Sequence, residues 1–448
     1  MIPPTQASTT QNKSTAKMSP LFSTPSTSNN QSSSPSQALS LDPFYSGNTF
    51  KRFIPFAGVY TLIAHLALLI LKPFPFILRD FVTTVRPEDR FVLPSSIQKS
   101  AKEDMHNQHI AIVTGSNTGI GFETASSLVE IGYDVILACR SRDKGEHAVK
   151  AINERHMDKI TKGNAIFLHP LDLSSLESVR GFVDCFTAKY QHLNILVNNA
   201  GINFSGKSVD GLDLCFQTNF VGHYLLTRLL IPQLLKAKNQ FSSKDGGISG
   251  NGVEAGRVVN LSSVMHHFAK ASEKRKNGVE TYGVHDEKWW KGSSQPSTSR
   301  NVYAESKMAA LLLTEELNER YGEQGLRAVS ANPGAVNSDI WRNYPSYMMR
   351  IHDVIYLTSK QGSSTSFAAS VGVLPKGAIY LQPYWQPWGR KPSSISNSNS
   401  SFARWFKLPV PFTEMLGLYI GHAITECRLP PKGSSLAMWN VCEEIVGL

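Results

Sequence analysis

The chain has 448 residues, 41% of them hydrophobic and 18% charged, so it can bury a sizeable core in one large domain or in two to three small ones. Its 45 Lys and Arg exceed its 35 Asp and Glu by 10, without a run of five basic residues. This excess alone does not distinguish a membrane surface, an anionic cofactor and nucleic acid. Five scattered cysteines form no C-x-x-C or Cys/His ligand pattern, which argues against a disulfide framework or a zinc site and predicts reduced thiols.

The N-terminal segment, residues 1–50, is dominated by Ser, Thr, Pro, Gln and Asn, and its first acidic residue is Asp42. Such a composition buries too little apolar surface to offset the entropy of ordering, so it predicts a disordered tail. A Ser/Thr-rich start without acids also fits an organelle transit peptide, although this one contains no Arg before residue 52.

Residues 51–82 form a hydrophobic segment around an uncharged run, Phe53–Leu71. A helix of this length spans about 28 Å, just under a hydrocarbon core of about 30 Å. Because the run is apolar on all sides and is followed by Pro73 and Pro75, it predicts a membrane anchor, either spanning or hairpin-like. A packed helix or part of a targeting signal is the alternative, and basic residues on both flanks leave the orientation open.

From about residue 105 to 390, short apolar runs alternate with helical patterns. The predicted strands are His109–Thr114, Asp134–Ala138, Ala165–Leu171, Leu193–Val197, Arg257–Leu261, Arg327–Ala331 and Ala378–Leu381. The predicted helices between them include Phe122–Ile131, Leu176–Tyr190, Leu214–Leu235, Val302–Tyr321 and Gln361–Val371. Alternation of this kind predicts an α/β domain with a doubly wound parallel sheet, the Rossmann fold.

Polar insertions interrupt this pattern at residues 238–256 and 270–300, and long loops in such a domain are either functional lids or mobile surface excursions. Residues 391–448 begin with a Ser/Asn-rich linker and end in a predicted helix, Ser435–Val446. We expect this C-terminal segment to pack on the α/β domain.

A glycine pattern, G-x-x-x-G-x-G, lies between the first strand and the following helix. Gly115 allows a sharp turn, Gly119 lets the backbone approach a pyrophosphate, and Gly121 lets the helix pack on the sheet. The phosphates would then meet the positive end of the helix. In this context the pattern predicts dinucleotide binding by Gly115, Ser116, Asn117, Thr118, Gly119, Ile120 and Gly121.

The end of the second strand bears on the choice between NAD and NADP. An acid there would bind the ribose 2′-hydroxyl, but the first acid is Asp143, and Arg140 stands where a 2′-phosphate would lie. A guanidinium suits a phosphate, so NADP(H) is favoured over NAD(H), with a solvated surface arginine as the alternative.

A third set of residues could move a proton. Tyr303 and Lys307 are spaced i and i+4 on a predicted helix, and a nearby ammonium lowers the pKa of a phenol. Ser263 follows a predicted strand, where its hydroxyl could hold a substrate oxygen. Asn219 is polar in an otherwise apolar helix. The alternative for the Tyr/Lys pair is that both side chains are solvent-exposed and have no function. The alternatives for Asn219 are a helix kink or a hydrogen bond to the backbone.

Together with Asn198–Gly201 and Pro333-Gly334, these residues resemble the short-chain dehydrogenase/reductase family over about residues 107–385. The resemblance is to its retinol dehydrogenase-like branch, which also holds the WW-domain oxidoreductases. The segments that carry this narrower similarity are Ile136–Arg140, Lys144-Gly145, Gln217–Tyr224 and Trp439–Leu448.

The resemblance implies a role for each matching residue. Tyr303 would be the general acid/base, and Lys307 would hold the nicotinamide ribose and lower the pKa of Tyr303. Ser263 would position the substrate oxygen, with Ser262 as the alternative, and Asn219 would order a water that extends the proton relay. The further cofactor contacts that it implies are Asp172 near the adenine, Leu173, Asn199, Ala200, Gly201, Pro333, Gly334, Val336 and Ser338, where relatives commonly have Thr.

The activity implied is NADP(H)-dependent hydride transfer involving a lipophilic, retinoid- or steroid-like alcohol or carbonyl, with no metal and no nucleic-acid partner. In this family, the stretch that covers the substrate corresponds to a segment that here contains Trp341, Tyr344, Tyr347, Met348 and Met349. Ordinary packing in a core or an interface is the alternative role for these side chains. We expect the endoplasmic reticulum or another organelle membrane, with the site facing the cytosol. The alternatives are a plastid or mitochondrial enzyme that reduces a pigment or lipid carbonyl, and a catalytically silent NADP(H)-sensing scaffold. A homodimer stays open.

Overall fold

The computed structural model describes residues 109–158, 163–204, 206–237, 239–240, 253–269, 273–274, 280–281, 301–341, 356–372, 374, 377–382, 386–388, 429–431 and 433–448. The strands of its central sheet are β1 (Ile110–Thr114), β2 (Asp134–Ala138), β3 (Ala165–Ile166), β4 (Ile195–Asn198), β5 (Arg257–Leu261), β6 (Arg327–Ala331), β7 (Tyr380–Gln382) and β8 (Gln386–Trp388). They lie in the order β8-β7-β6-β5-β4-β1-β2-β3, and every pair is parallel except β7–β8. The predicted Rossmann sheet is therefore confirmed, with an antiparallel edge strand that the sequence pattern did not predict.

Helices cover both faces of this sheet. They are α1 (Gly119–Glu130), α2 (Arg142–Arg155), α3 (Leu176–Lys189), α4 (residues 214–236), α5 (Val302–Tyr321), α6 (Ser359–Val371) and α7 (Ser434–Val446). Helix α4 is α-helical over Leu214–Phe216 and Gly222–Lys236, and one turn of π-helix, Gln217–Val221, lies between these parts. Two short antiparallel pairs, Asn239–Gln240 with Val253–Glu254 and Glu273–Lys274 with Glu280–Thr281, lie in the polar insertions.

Strand β1 shows how the two layers are built. Its residues are all buried, and successive side chains point to opposite faces. Ile110 and Ile112 belong to a core shared with α3, α4, α5 and α7, whereas Ala111 and Val113 belong to a second core with α1, α2 and α6. A sheet buried on both faces explains why its strands read as continuous apolar runs.

Strand β3 is shorter than the predicted strand Ala165–Leu171. Its pairing with β2 ends at Ile136 and Ile166. Beyond that pair the chain leaves the sheet and brings Leu171–Ser174 to the wall of the cavity described below. Only the first part of the predicted apolar run is therefore a strand, and its last residue, Leu171, lines the cavity.

Helix α7, the predicted helix Ser435–Val446, packs against α5 and α4. The carboxylate of Glu443 accepts hydrogen bonds from the Tyr224 hydroxyl (2.6 Å) and from Arg228 Nε (2.9 Å). The Trp439 ring is buried, and the Arg320 guanidinium lies 4.5 Å from its centroid.

Several expectations fall outside the described residues: the tail (1–50), the hydrophobic segment (51–82), residues 391–428, most of both insertions, and Tyr344, Tyr347, Met348 and Met349. Within the described part of the chain, no helix has the length and apolar character needed to cross a membrane.

Candidate active site

One cavity of about 790 Å³ lies where the β1, β2, β4 and β5 strand ends meet, and its volume falls in the range of about 300–1,000 Å³ typical of small-molecule sites. Most of the predicted site residues line it. They are Gly115, Asn117, Thr118, Gly119, Ile120, Gly121, Arg140, Asp172, Leu173, Asn199, Ala200, Gly201, Tyr303, Lys307, Pro333 and Ser338. The predicted residues that are not on its wall are Ser116, Asn219, Ser263, Gly334 and Val336.

The glycine turn packs closely against the end of β4. Gly115 has a φ of +62°, which only glycine adopts readily. A Cβ added to Gly121 would lie 2.4 Å from Asn199 Nδ2 and 2.5 Å from the Gly115 carbonyl oxygen. Both positions therefore require glycine. Ser116 is fully buried and donates its hydroxyl to the Val113 carbonyl (2.8 Å), so its side chain points away from the cavity.

The start of α1 faces the cavity without a side-chain cap. Thr118 is the N-cap residue, but its hydroxyl makes no capping hydrogen bond and instead donates to Asp339 Oδ2 (3.0 Å). The first turn also contains no acid. The first turn of α1 thus supplies neither a cap nor an anion to its own N–H groups, as an anion-binding helix terminus requires, and the Asp339 carboxylate lies beside it at Thr118.

Basic side chains collect at the β2 end of the cavity. Arg140 follows β2, and Lys144 and His147 on the first turns of α2 line the same wall with Asp143 as the acid among them. The sequence predictions did not assign a role to Lys144 or His147. Helical spacing i and i+3 after the N-cap residue Ser141 could have placed both on one face.

Asp172, on the neighbouring wall, has a carboxylate that is held locally. Its Oδ1 accepts hydrogen bonds from the backbone N–H (2.9 Å) and hydroxyl (2.6 Å) of Ser174. Leu173 follows, and its carbonyl would lie 2.4 Å from a Cβ on Gly222 of α4.

Tyr303 and Lys307 lie together on the first turns of α5, and both line the cavity. Lys307 Nζ is 5.4 Å from the centroid of the Tyr303 ring and donates a hydrogen bond to the Leu261 carbonyl oxygen (2.9 Å). Tyr303 is half-buried, whereas Lys307 is buried, and this burial lowers its pKa to about 8. The ammonium is therefore still mostly protonated at neutral pH.

The two serines after β5 differ in their surroundings. Ser262 is buried at the cavity wall and donates its hydroxyl to the Lys307 carbonyl oxygen (2.9 Å). Ser263 is half-buried and caps a 3₁₀ turn, Val264–Phe268, because its Oγ accepts the Met265 N–H (3.2 Å). The Ser262 hydroxyl hydrogen is thus engaged, while the bond at Ser263 uses only a lone pair.

Asn219 occupies the π-helical turn of α4. Its Oδ1 accepts the Ile202 N–H (2.8 Å), and its Nδ2 donates to the Ile202 carbonyl (2.9 Å) and to Ser306 Oγ (3.1 Å). Its side chain therefore clamps Ile202, which lines the cavity. Of the structural alternatives, the backbone bond is present, while the water-ordering role stays a prediction.

The loop after β6 closes another side of the cavity. Pro333 and Ser338 line it, together with Asp339. Gly334 (φ +82°) donates its N–H to Asn332 Oδ1 (3.1 Å), and Val336 is buried behind the wall. Sequence reasoning missed Asp339, whose contact with Thr118 joins residues 221 positions apart.

Neither metal ligation nor a disulfide is found in the parts of the chain that the structure describes. Those parts contain no group of three or more His, Cys, Asp or Glu side chains arranged to hold a metal, and Cys139, Cys185, Cys215 and Cys442 are free.

A Rossmann sheet with a Tyr/Lys pair beside a glycine turn is the arrangement expected of a nicotinamide-dependent oxidoreductase, and comparisons with known proteins identify the family. A family model described as short chain dehydrogenase matches residues 109–273. Mouse retinol dehydrogenase 11 is 34% identical over 303 residues, which cover 66% of this chain and 82% of that protein. Mouse retinol dehydrogenase 12 is 34% identical over 287 residues, covering 62% and 79%. The crystal structure of NADPH-bound carbonyl reductase from chicken fatty liver is 20% identical, with a TM-score of 0.42, and covers 63% of this chain and 99% of that one.

The chain therefore belongs to the short-chain dehydrogenase/reductase family. It is retinol dehydrogenase-like, and it is an oxidoreductase. The resemblance found in the sequence is confirmed at this level.

Proposed function

We propose that the protein transfers a hydride between NADP(H) and a lipophilic alcohol or carbonyl compound. The observation that carries this proposal is the single cavity that joins the glycine turn, Arg140 and the Tyr303–Lys307 pair. When bound, the nicotinamide would supply or accept the hydride, while the residues of the chain bind, orient and move the proton.

The shape and charge of the cavity fit a dinucleotide. The close approach of Gly115 to Ala200 and of Gly121 to Asn199 forms a narrow turn, and the uncapped start of α1 would bind the pyrophosphate. Lys307 uses one N–H on the Leu261 carbonyl, so two others can reach a ribose hydroxyl and a proton relay.

Two cations support NADP(H) over NAD(H). Arg140 and Lys144 are exposed and border the same end of the cavity, where they can make charge-assisted hydrogen bonds to a 2′-phosphate. Asp143 is the acid on that wall, and Arg140 and Lys144 outnumber it. Parallel measurements with NADPH and NADH test this choice directly.

Proton transfer would fall to Tyr303. Its hydroxyl would donate to the carbonyl oxygen during reduction and take the proton back during oxidation. The buried ammonium of Lys307, 5.4 Å from the centre of the Tyr303 ring, would stabilise a phenolate electrostatically, more strongly than it would in water. Ser263, whose capping bond uses a lone pair, keeps its O–H to donate to the substrate oxygen.

Apolar side chains support a lipophilic substrate. Ile202, Phe204, Leu214 and Ile340 line the cavity, and Phe204 is 36% exposed. At about 0.8 kcal/mol for each buried methylene, two extra methylenes correspond to more than ten-fold in binding. We therefore expect kcat/KM to rise along an aldehyde series of increasing chain length, and a flat series would contradict an apolar substrate site.

The test of activity is NADPH absorbance with a panel of aldehydes and ketones, retinal among them. Tyr303→Phe should abolish turnover while leaving NADPH binding largely intact. Tyr321→Phe is the matched control, because Tyr321 lies at the opposite end of α5 and contacts Trp439. Tight NADPH binding without turnover of any substrate by the parent protein would instead favour the sensing scaffold.

Membrane attachment through Phe53–Leu71 remains part of the proposal, supported by the length and composition of that run. The full chain should stay in the pellet on carbonate extraction. Leu66→Arg places a charge near the middle of the run, at a cost of about 3 kcal/mol, and should weaken retention. Release of the unmodified chain into the supernatant would contradict the attachment.

A further inference from the structure

A buried histidine connects two walls of the cavity without lining it. His223 lies on α4, one helical turn after Asn219, and only 3% of its surface is exposed. Its Nδ1 is 3.0 Å from the backbone oxygen of Asn219, and its Nε2 is 2.8 Å from Thr114 Oγ1. The ring thus joins the π-helical turn to the end of β1.

The partners of the ring determine where its hydrogen lies. A carbonyl oxygen can only accept, so Nδ1 must carry the hydrogen that is donated to Asn219. Burial lowers the pKa of His223 to about 4, and the neighbouring Lys307 charge adds to this, so the ring is neutral at physiological pH. Nε2 then accepts the hydroxyl hydrogen of Thr114.

Thr114 in turn is hydrogen-bonded to the residues that follow β4. Its Oγ1 accepts the backbone N–H groups of Asn199 (2.8 Å) and Ala200 (3.0 Å). The hydroxyl hydrogen has two acceptors in reach, His223 Nε2 at 2.8 Å and the Val197 carbonyl oxygen at 3.3 Å, and the shorter contact is the one to His223. With its hydrogen given to His223, this hydroxyl uses its donor and both lone pairs. In the reverse direction, Asn199 Nδ2 donates a hydrogen bond to the Thr114 carbonyl oxygen (2.7 Å). The two strand ends are thereby held in one register, and both line the cavity at Gly115, Asn199 and Ala200.

On the other side, the ring holds the turn that carries Asn219. The Asn219 side chain clamps Ile202, so its backbone oxygen and its side chain fix the turn from two directions. A fully satisfied buried network of this kind favours a single arrangement, because each broken bond leaves an unpaired polar group.

We infer that His223 is a positioning residue that sets the spacing between the strand ends that hold the cofactor and the π-helical turn beside Lys307. This inference rests on the proposed function, because its consequences are for cofactor binding and for the hydride-transfer step. His223 does not line the cavity, so it would act only through Thr114 and Asn219.

Two substitutions of His223 each remove one of the ring's two hydrogen bonds, the one to Thr114 or the one to Asn219. His223→Asn places an amide near the position of Nδ1, so it keeps the bond to Asn219 and loses the bond to Thr114. His223→Gln places its amide near Nε2 and does the reverse. We expect His223→Asn to raise the Kd for NADPH about ten-fold with a smaller change in kcat, the effect of about one lost hydrogen bond. His223→Gln should lower kcat about ten-fold and leave Kd within about two-fold.

Thr227→Val is the matched control, because it removes a buried hydrogen bond from Asn198 Nδ2 (2.9 Å) one turn further along α4. It should lower the free energy of unfolding without changing Kd or kcat. Equal changes of Kd and kcat in both His223 variants, or no change in either, would overturn the inference. If neither variant folds, Thr114→Ser should keep the parent Kd and Thr114→Val should raise it, with equal Kd values counting against the inference. A parent protein that neither binds NADPH nor turns over any substrate would instead refute the proposed function.

Discussion

Lys307→Met should stabilise the protein while it removes the activity. The ammonium of Lys307 is buried, and its pKa falls from 10.5 to about 8. At 1.36 kcal/mol for each pKa unit, holding this charge in the folded protein costs about 3 kcal/mol at pH 7. Loss of the Nζ bond to the Leu261 carbonyl opposes this by about 1–2 kcal/mol. We expect the free energy of unfolding to rise by about 1–2 kcal/mol at pH 7.

The pH dependence distinguishes this cause from better packing of the methionine. Between pH 8 and 10.5 the unfolded chain still holds the proton that folded Lys307 has released, so the stability of the parent protein rises with pH. The advantage of Lys307→Met over the parent should therefore shrink by about 2 kcal/mol from pH 7 to pH 10 and disappear near pH 10.

Urea unfolding followed by tryptophan fluorescence at pH 7, 8.5 and 10 measures this difference, with NADPH turnover measured in parallel. Lys144→Met is the control, because Lys144 is exposed at the rim of the same cavity and its loss should leave the stability unchanged. A Lys307→Met protein that is less stable than the parent at pH 7, by an amount that does not vary with pH, would refute the reasoning.

Three further substitutions test other parts of the structure. Arg140→Glu should raise the KM for NADPH by ten-fold or more, since a charge-assisted bond contributes about 1.5–3 kcal/mol, and should spare NADH; equal loss with both would show a general defect. Gly121→Ala puts a methyl 2.4 Å from Asn199 Nδ2 and should lower the free energy of unfolding by about 1–3 kcal/mol, whereas a neutral effect in urea would contradict the close contact. Tyr224→Phe removes the hydroxyl that donates to Glu443 (2.6 Å) and should lower thermal stability by about 1.5–3 kcal/mol with kcat unchanged; a changed kcat would link α7 to catalysis.

The α/β pattern and the local parts of the site were predictable because they depend on neighbours along the chain. Continuous apolar strands, the glycine turn and the i, i+4 spacing of Tyr303 and Lys307 each have a local signature. The boundaries were less predictable, as β3 shows, since its apolar run continues past Ile166, the last residue that pairs with β2.

Contacts between distant segments were not predictable from these signatures. Asp339 meets Thr118 across 221 positions, and His223 meets Thr114 across 109, because the strand order brings the carboxyl ends of β1, β4 and β6 to one side of the sheet. Neither Asp339 nor His223 belongs to a short sequence motif from which its partner could be predicted. The different hydrogen bonds of Ser262 and Ser263 likewise depend on where α5 lies relative to β5, because Ser262 donates to a carbonyl oxygen of α5 and Ser263 accepts from the turn that follows β5.

The amino-acid order thus determined which residues could bind a dinucleotide and move a proton, since turn geometry, helical spacing and charge are properties of short segments. The folded chain determined which of them share a wall, which turn inward as Ser116 does, and how far burial shifts the pKa of Lys307. The physical reason is that desolvation and long-range hydrogen bonding exist only once the sheet and helices have packed.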